Sequence, residues 1–250
     1  PETASRTRGR IEATLDYAKT RGWREGENPA RWRGHLAHLL PKPPKLAQGH
    51  FGAMPWQEVP TFLCFLAGRQ GVAPRALAFT ILTAARSGEV RGATWGEIDM
   101  AAAEWKIPGE RMKAGEPHRV PLSKAAIGIL EDMRALAGGN PPQTAFVFPG
   151  QKPGAPLSSM AMENTLRRAN LKEAGVTVHG FRSSFRDWAA EATDFDNHVV
   201  EKALAHAIPS SVEKAYRRGQ LLEKRRRLMN AWAEYLEGGA AVDNVVTLRR

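Results

Sequence analysis

Cysteine is nearly absent from this 250-residue chain: Cys64 stands alone. An internal disulfide is therefore impossible, and a zinc site built on cysteine ligands is excluded. Its setting, Phe62-Leu63-Cys64-Phe65-Leu66, reads as core, because free cysteine is among the residue types most often buried. Long apolar runs are missing too, and nothing approaches the roughly 18–20 residues that a membrane-spanning helix needs. The N-terminus lacks the charged-then-apolar pattern of a signal peptide. A cytoplasmic protein with no membrane partner is the expectation, and a start at Pro1 rather than Met suggests a piece of a longer chain. No GxxxxGK[ST] loop is present, so ATP is not implied. Neither paired carboxylates beside the basic residues nor a His/Cys ligand pattern appears, so the expected cofactor set is none. Tyrosine is scarce as well, limited to Tyr17, Tyr216 and Tyr235.

Positive charge, by contrast, is abundant. Lys and Arg number 36 against 26 acids, a net charge of +10. Such an excess favours a polyanionic partner, since neutralising phosphates releases counterions. With 42% apolar residues the chain also has material for a large core.

Residues from Thr3 to about Arg21 read as a helix, with Ile11, Leu15 and Ala18 on one stripe. Pro41-Lys42-Pro43-Pro44-Lys45 cannot be helix interior, which places a linker at 41–53. Helices are predicted from Trp56 to Arg69 and from Pro74 to Ala85. The segments around Trp105-Lys106-Ile107 and His118-Arg119-Val120 predict a hairpin with Gly115 at a tight turn. A helix over 123–137, a short strand at Phe146-Val147-Phe148, and helices at about 158–172, 179–192, 196–206, 210–217 and 220–236 complete the pattern. The fold class is mainly α with a small antiparallel β-sheet.

Three segments carry chemistry. In His179-Gly180-Phe181-Arg182, the apolar stripe Phe181, Phe185, Trp188 and Ala192 leaves His179, Arg182 and Arg186 on another face. Two guanidiniums and an imidazole side by side are costly without an anion and natural around a phosphate. Leu204-Ala205-His206 is followed ten residues later by Tyr216, in a stretch that holds seven Lys or Arg against two Glu from Glu213 to Arg227. Upstream, an apolar helix runs into Arg86-Ser87-Gly88-Glu89, a spacing that lets the carboxylate hold the arginine.

These residues, in this order, resemble the tyrosine recombinases, and among them the integrases of phages and genomic islands. Arg86 to Asp99, with Trp95-Gly96-Glu97-Ile98-Asp99, looks like the first arginine box, with Arg91 a competing choice for the arginine because Arg86 precedes Ser87-Gly88 instead of following a glycine. Lys113 looks like the β-turn lysine, His179-Gly180-Phe181-Arg182 like the second box, His206 like the second histidine and Tyr216 like the nucleophile. The resemblance covers about residues 55–236. It implies a catalytic domain at 54–237, the end of a helical core-binding domain at 1–40, and a C-terminal tail at 238–250.

The resemblance further implies cleavage and rejoining of double-stranded DNA at attachment sites through a 3′-phosphotyrosine, by a homotetramer on paired sites with accessory DNA-bending proteins. Arg86 and Arg182 would clamp the phosphate, since a guanidinium donates paired hydrogen bonds that lysine cannot. His179 would take the phenol proton, His206 would bind a phosphate oxygen, Lys113 would protonate the leaving 5′-oxygen, and Glu89 would orient Arg86. Arg8, Arg10, Arg186, Arg217 and Arg218 are candidates for DNA contact. A type IB topoisomerase, or a DNA-binding regulator without catalysis, would share parts of this pattern; the regulator has no use for Tyr216.

Overall fold

Two units make up the chain, residues 1–49 and 50–250, and the computed structural model describes residues 2–40, 52–206 and 221–238. In the first unit, helix α1 (Glu2–Thr20) leads through a loop to the single turn α2 (Ala37–Leu39). Asn28, almost fully buried, fastens that loop: its side-chain amide donates to Glu12 O at 2.8 Å and Asp16 Oδ1 at 2.7 Å, and its Oδ1 accepts from Ala30 N. Arg8 pairs with Glu12, donates to Ala30 O and lies over the Trp32 ring. It therefore helps hold the unit together, whereas Arg10 is exposed.

The second unit is built from helices α3 (Val59–Ala67), α4 (Val72–Thr83), α5 (Ser87–Arg91), α6 (Lys124–Leu136), α7 (Ser159–Arg168), α8 (Gly180–Ala192), α9 (Asn197–Ala203) and α10 (Leu222–Gly238). Strands β1 (Ile98–Asp99), β2 (Glu104–Ile107) and β3 (His118–Pro121) form an antiparallel sheet in that order, with Trp105 opposite both Ile98 and Val120. The mainly helical class with a small antiparallel sheet matches the sequence pattern. The predicted linker, apart from residues 52 and 53, the predicted helix at 210–217 and the tail from residue 239 fall outside the described residues.

Helix α4 is the centre of the packing. Leu77, Phe79, Ile81 and Leu82 are all buried, because α3, α6, α7 and α10 cover it from several sides. Thr80 and Thr83, polar residues in this interior, return their hydroxyl hydrogens to the carbonyls of Ala76 and Phe79. Phe79 meets Trp105 and Phe148, and Trp232 of α10 packs against Phe185 and Trp188 of α8 while its indole N–H donates to Ile81 O.

Three expectations need correction. Cys64 is exposed: α3 buries Val59, Phe62 and Leu66, and a residue two positions beyond Phe62 turns about 200° away from that stripe. The link between β2 and β3 is no tight turn but a loop over 108–117, with a 3-10 turn at Gly109–Arg111 and Gly115 at φ 72°. Residues 146–148 form no strand; Phe146 makes only an isolated bridge to Thr94, and Val147 N donates to Ala93 O.

A buried carboxylate joins the sheet to α10. Glu104, 3% exposed, accepts from Arg119 Nε at 3.0 Å and Nη2 at 2.6 Å and from Arg226 Nη2 at 3.0 Å. Arg226 also donates to Ala103 O, and buried Arg225 donates to Arg119 O at 2.6 Å. Two of the six basic residues from Arg217 to Arg227 are thus committed inward. Glu104→Ala removes the shared acceptor of two partly exposed guanidiniums and is expected to destabilise the second unit by about 1–3 kcal/mol; urea denaturation checks this, and a loss below about 0.5 kcal/mol would contradict it.

Candidate active site

Helix α8 begins where it does because Thr177 receives the Gly180 N–H on both its hydroxyl and its carbonyl, each at 3.0 Å. Residues 52–54 run across this first turn. A Cβ on Gly180 would stand 2.2 Å from Gly52 O, so the motif requires glycine there, and Ser184 donates to Met54 O. Phe181, Phe185 and Trp188 then face the core. Arg182, one position past Phe181, is buried with them at 5% exposure.

A buried guanidinium must be hydrogen-bonded. Arg182 Nη1 donates to Ala84 O, and Nη2 donates to Leu204 O at 2.5 Å and lies 3.3 Å from His206 Nε2. Both acceptors lie at helix C-terminal ends, where carbonyls lack partners within the helix and carry partial negative charge. Ala84 follows α4 at φ 49°, and Leu204 follows α9 at φ −75°. The next residue, Ala205, is again left-handed at φ 49°.

Arg86 approaches the same place from the start of α5. Glu89 accepts its backbone N–H at 3.0 Å and its Nη1 at 2.8 Å, and Nη2 donates to Ala205 O at 3.2 Å. Two guanidiniums from segments 96 residues apart therefore grip successive carbonyls, Leu204 and Ala205. Burial first, and then the Arg86 charge, lowers the Arg182 pKa to about 10, so it remains a cation at neutral pH. Arg91, the competing choice, points elsewhere and donates to Leu157 O at 3.2 Å.

His206 stands beside this pair. Its Nδ1 lies 2.6 Å from Glu201 Oε2, while Glu201 Oε1 accepts from Arg186 Nε at 2.8 Å. His179 stands at the start of α8 with its residue still exposed, and its pKa is lowered first by the water its ring has lost to neighbouring groups and then by Arg182, Arg86 and His206. Its ring is thus biased toward the neutral, proton-accepting form. Lys113 is exposed on the loop between β2 and β3. Arg111 anchors that loop by pairing with Glu97 and donating to Glu89 O. Tyr216, Arg217 and Arg218 lie outside the described residues. Among the described residues no group of three or more His, Cys, Asp or Glu side chains is placed to hold a metal ion.

The structure brings Arg86, Glu89, Arg182 and His206 together, with the His179 ring close enough to feel three of their charges. Sequence reasoning missed Glu201, Arg111 and His118 as parts of this neighbourhood. Alternation along β3 signals that His118 shares a face with buried Val120; nothing in the sequence marks Ala84 or Ala205, whose carbonyls alone are used.

Comparison with known proteins gives the class. The phage integrase family profile matches residues 57–221, and the phage integrase central domain matches residues 1–35. The chain belongs to the phage integrase family. Prophage integrase IntA of Escherichia coli K12 is 41% identical over 169 residues, 67% of this chain and 39% of that protein. Prophage integrase IntZ of the same strain is 34% identical over 76% of this chain and 46% of its own length. The integrase of Enterobacteria phage P4 is 29% identical over 94% of this chain and 55% of its own. The chain thus spans about half or less of these relatives. The integrase from mycobacterium phage Brujita shares the fold, with a TM-score of 0.54 at 19% identity, covering 96% of this chain and 78% of that one.

Two histidines link this neighbourhood to pH. His118 has its pKa lowered to about 3, by burial first and then by the Arg225 charge, and the His179 pKa is lowered too. Above pH 6.5 folded and unfolded chains both carry neutral rings, and stability does not depend on these groups. Below it the unfolded chain binds protons that the folded one refuses, so stability falls as pH drops from 6.5 toward 3. His118 alone contributes a slope of about 1.4 kcal/mol per pH unit. Urea denaturation from pH 7 to 5.5 is expected to show a steeper decline for the native chain than for His118→Asn; parallel declines would contradict it.

Proposed function

We propose that this chain is the DNA-cleaving part of a site-specific recombinase, an integrase that cuts and rejoins double-stranded DNA through a covalent 3′-phosphotyrosine. The observation that carries the reading is the convergence of Arg86, Arg182 and His206 at the end of α9: two guanidiniums share one locus while only part of their donors is used. Such a locus favours an anion with several oxygens. Family membership makes a DNA phosphodiester the fitting occupant.

In this reading Tyr216 is the nucleophile. His206, ten residues before it, ends the preceding described stretch beside Arg182, and α10, six residues after it, packs on α9. The phenolic oxygen attacks phosphorus and gives its proton to neutral His179. The bond from phosphorus to the 5′-oxygen breaks, and that oxygen receives a proton from Lys113. Arg86, Arg182 and His206 stabilise the non-bridging oxygens of the pentacoordinate transition state. Glu89 keeps Arg86 in place. The phosphotyrosine retains the energy of the broken bond, and a 5′-hydroxyl of another strand attacks it to reseal the DNA. The reaction needs no hydrolysis and no nucleotide cofactor.

Residues 54–237 would form the catalytic domain and residues 1–40 the end of a core-binding domain, joined by the linker at 41–53. Arg10, Arg217 and Arg218 remain candidates for phosphate contacts, and Arg186 would add one from its exposed position beside Glu201. Recombination between two sites implies a tetramer on paired DNA in the bacterial cytoplasm; no helix among the described residues is long and apolar enough to cross a membrane.

Tyr216→Phe is expected to abolish the covalent adduct on a nicked attachment-site duplex while leaving DNA affinity nearly unchanged, because only the nucleophilic oxygen is lost. Denaturing electrophoresis and peptide mapping test this, and an adduct on Tyr17 or Tyr235 would refute the assignment. Strand exchange between two duplexes separates a recombinase from a topoisomerase.

Lys113→Ala tests the general acid. Sulfur in place of the bridging 5′-oxygen leaves without a proton, since a thiol ionises near pH 8.5 and an alcohol near that of water, about 15.7. The variant is expected to cleave ordinary DNA about 10²- to 10⁴-fold more slowly and the 5′-phosphorothiolate about as fast as the native chain. Equal impairment on both substrates would leave Lys113 as a binding residue only.

A further inference from the structure

The loop between β2 and β3 reaches out of itself through Arg111. Its Nη1 pairs with Glu97 Oε2, and its Nη2 donates to Glu89 O. Glu97 is braced from the core, because the indole N–H of buried Trp105 on β2 donates to the same Oε2 at 2.9 Å. Glu89 O is a carbonyl left over at the end of α5. Gly92 N and Ala93 N take the carbonyls of Gly88 and Val90 at 3.2 and 3.1 Å, and Arg111 takes the one between them. The guanidinium lies against Gly92, where a Cβ would stand 2.8 Å from its Nη2. The next residue, Met112, is buried in the core. Hydrogen bonds from Arg111 N to Pro108 O at 3.1 Å, from Met112 N to Gly109 O at 2.9 Å and from Gly115 N to Met112 O at 3.0 Å fold the loop on itself. Lys113, exposed, follows these two anchors directly.

We infer that Arg111 is a positioning residue of the reaction, which sets Lys113, the acid for the leaving oxygen, against the Arg86 clamp. The path between them is short. Arg111 holds Glu89 by its carbonyl, and the Glu89 carboxylate holds Arg86 Nη1 at 2.8 Å, so the root of the Lys113 loop and the phosphate clamp share one residue. A proton donor must come within hydrogen-bond reach of the oxygen it serves. The lysine stem is long and flexible, so a root displaced by an ångström carries the ammonium out of that reach. Arginine suits the task because its planar fork offers separate N–H groups to the Glu97 carboxylate and the Glu89 carbonyl at once, where a lysine brings a single nitrogen. The clamp itself depends less on Arg111: Glu89 also accepts the Arg86 backbone N–H at 3.0 Å within the first turn of α5. Loss of Arg111 therefore frees the loop and spares the clamp. The same contacts give Trp95-Gly96-Glu97 a reason, since Trp95 N and Gly96 N donate to Ala145 O at 3.0 Å and Gln143 O at 2.7 Å and so fix the turn that carries Glu97.

This inference rests on the recombinase reading and on Lys113 as the acid, and the experiment keeps the three apart. Single-turnover cleavage of a nicked attachment-site duplex, and of its 5′-phosphorothiolate counterpart, is measured for the native chain, Arg111→Met, Gly92→Ala, Lys113→Ala and the double variant Arg111→Met with Lys113→Ala. Arg111→Met is expected to cleave ordinary DNA about 10- to 100-fold more slowly, the scale of a misplaced reacting group. It cleaves the phosphorothiolate at about the native rate, because that leaving group needs no proton. Gly92→Ala keeps Arg111 and pushes its guanidinium aside; it shows the same pattern, so the result stands even if Arg111→Met does not fold. The double variant is no slower than Lys113→Ala alone, since both changes act through one ammonium. Unaltered cleavage of ordinary DNA in every folded variant at positions 111 and 92, equal loss on both substrates, or losses that multiply in the double variant overturns the inference and leaves the recombinase reading intact. Equal impairment of Lys113→Ala on both substrates removes the acid and the inference with it, again sparing the recombinase reading. Failure of the native chain to form any adduct overturns all three together.

Discussion

The buried guanidinium of Arg182 constrains everything near it. Removing such a charge from water costs several kcal/mol unless its donors are satisfied. The fold satisfies the two terminal nitrogens with backbone carbonyls rather than with a facing carboxylate, while the buried Nε has no partner among the described residues. The difference matters for chemistry. A carboxylate would neutralise the arginine and compete with a phosphate, whereas carbonyls fix its orientation and leave its full charge in place. The ends of α4 and α9 supply these carbonyls, and the left-handed residues Ala84 and Ala205 turn the chain there. A left-handed alanine costs about 1–2 kcal/mol, so the turns persist because the surrounding packing of α4 and α9 dictates them.

A second tier of contacts holds the movable parts to this centre. Glu89 orients Arg86, Arg111 ties the Lys113 loop to the backbone of Glu89, and Glu201 holds both His206 and Arg186. Each partner is itself braced by helix geometry or by a second ion pair. The positive field of the site is therefore built on short contacts among residues from four separate stretches of sequence, and among the described residues the carboxylates of Glu89 and Glu201 temper the charge of Arg182.

Much of this was legible in the sequence, for identifiable reasons. The stripe Phe181, Phe185 and Trp188 fixes α8 and so the placement of Arg182; the three-residue offset from Arg86 to Glu89 is the spacing at which a first-turn carboxylate reaches back to the start of its helix. What escaped was of two kinds. Cys64 was misread because an apolar run says little about which side of a helix each residue takes. The carbonyls of Ala84, Leu204 and Ala205 escaped because backbone groups are the same in every residue, so their use leaves no mark in sequence. Glu201 falls between these cases: its side chain is chemically informative, but only the approach of α8 to α9 gives it Arg186 as a neighbour.

The buried carboxylate of Glu104 has a consequence for how this sequence is able to vary. Glu104, Arg119 and Arg226 form one linked unit in which a single carboxylate serves two guanidiniums, drawn from positions 15 and 122 residues apart. Replacing Glu104 leaves two like charges side by side, whereas replacing either arginine leaves a single pair, so their effects are non-additive. Loss of Arg226 is harmful while Glu104 is present and close to neutral once it is gone. Descendants of this chain that lose Glu104 are expected to lose the arginines soon after, so the order of change is constrained at these positions, while exposed arginines such as Arg10 are free to change one at a time.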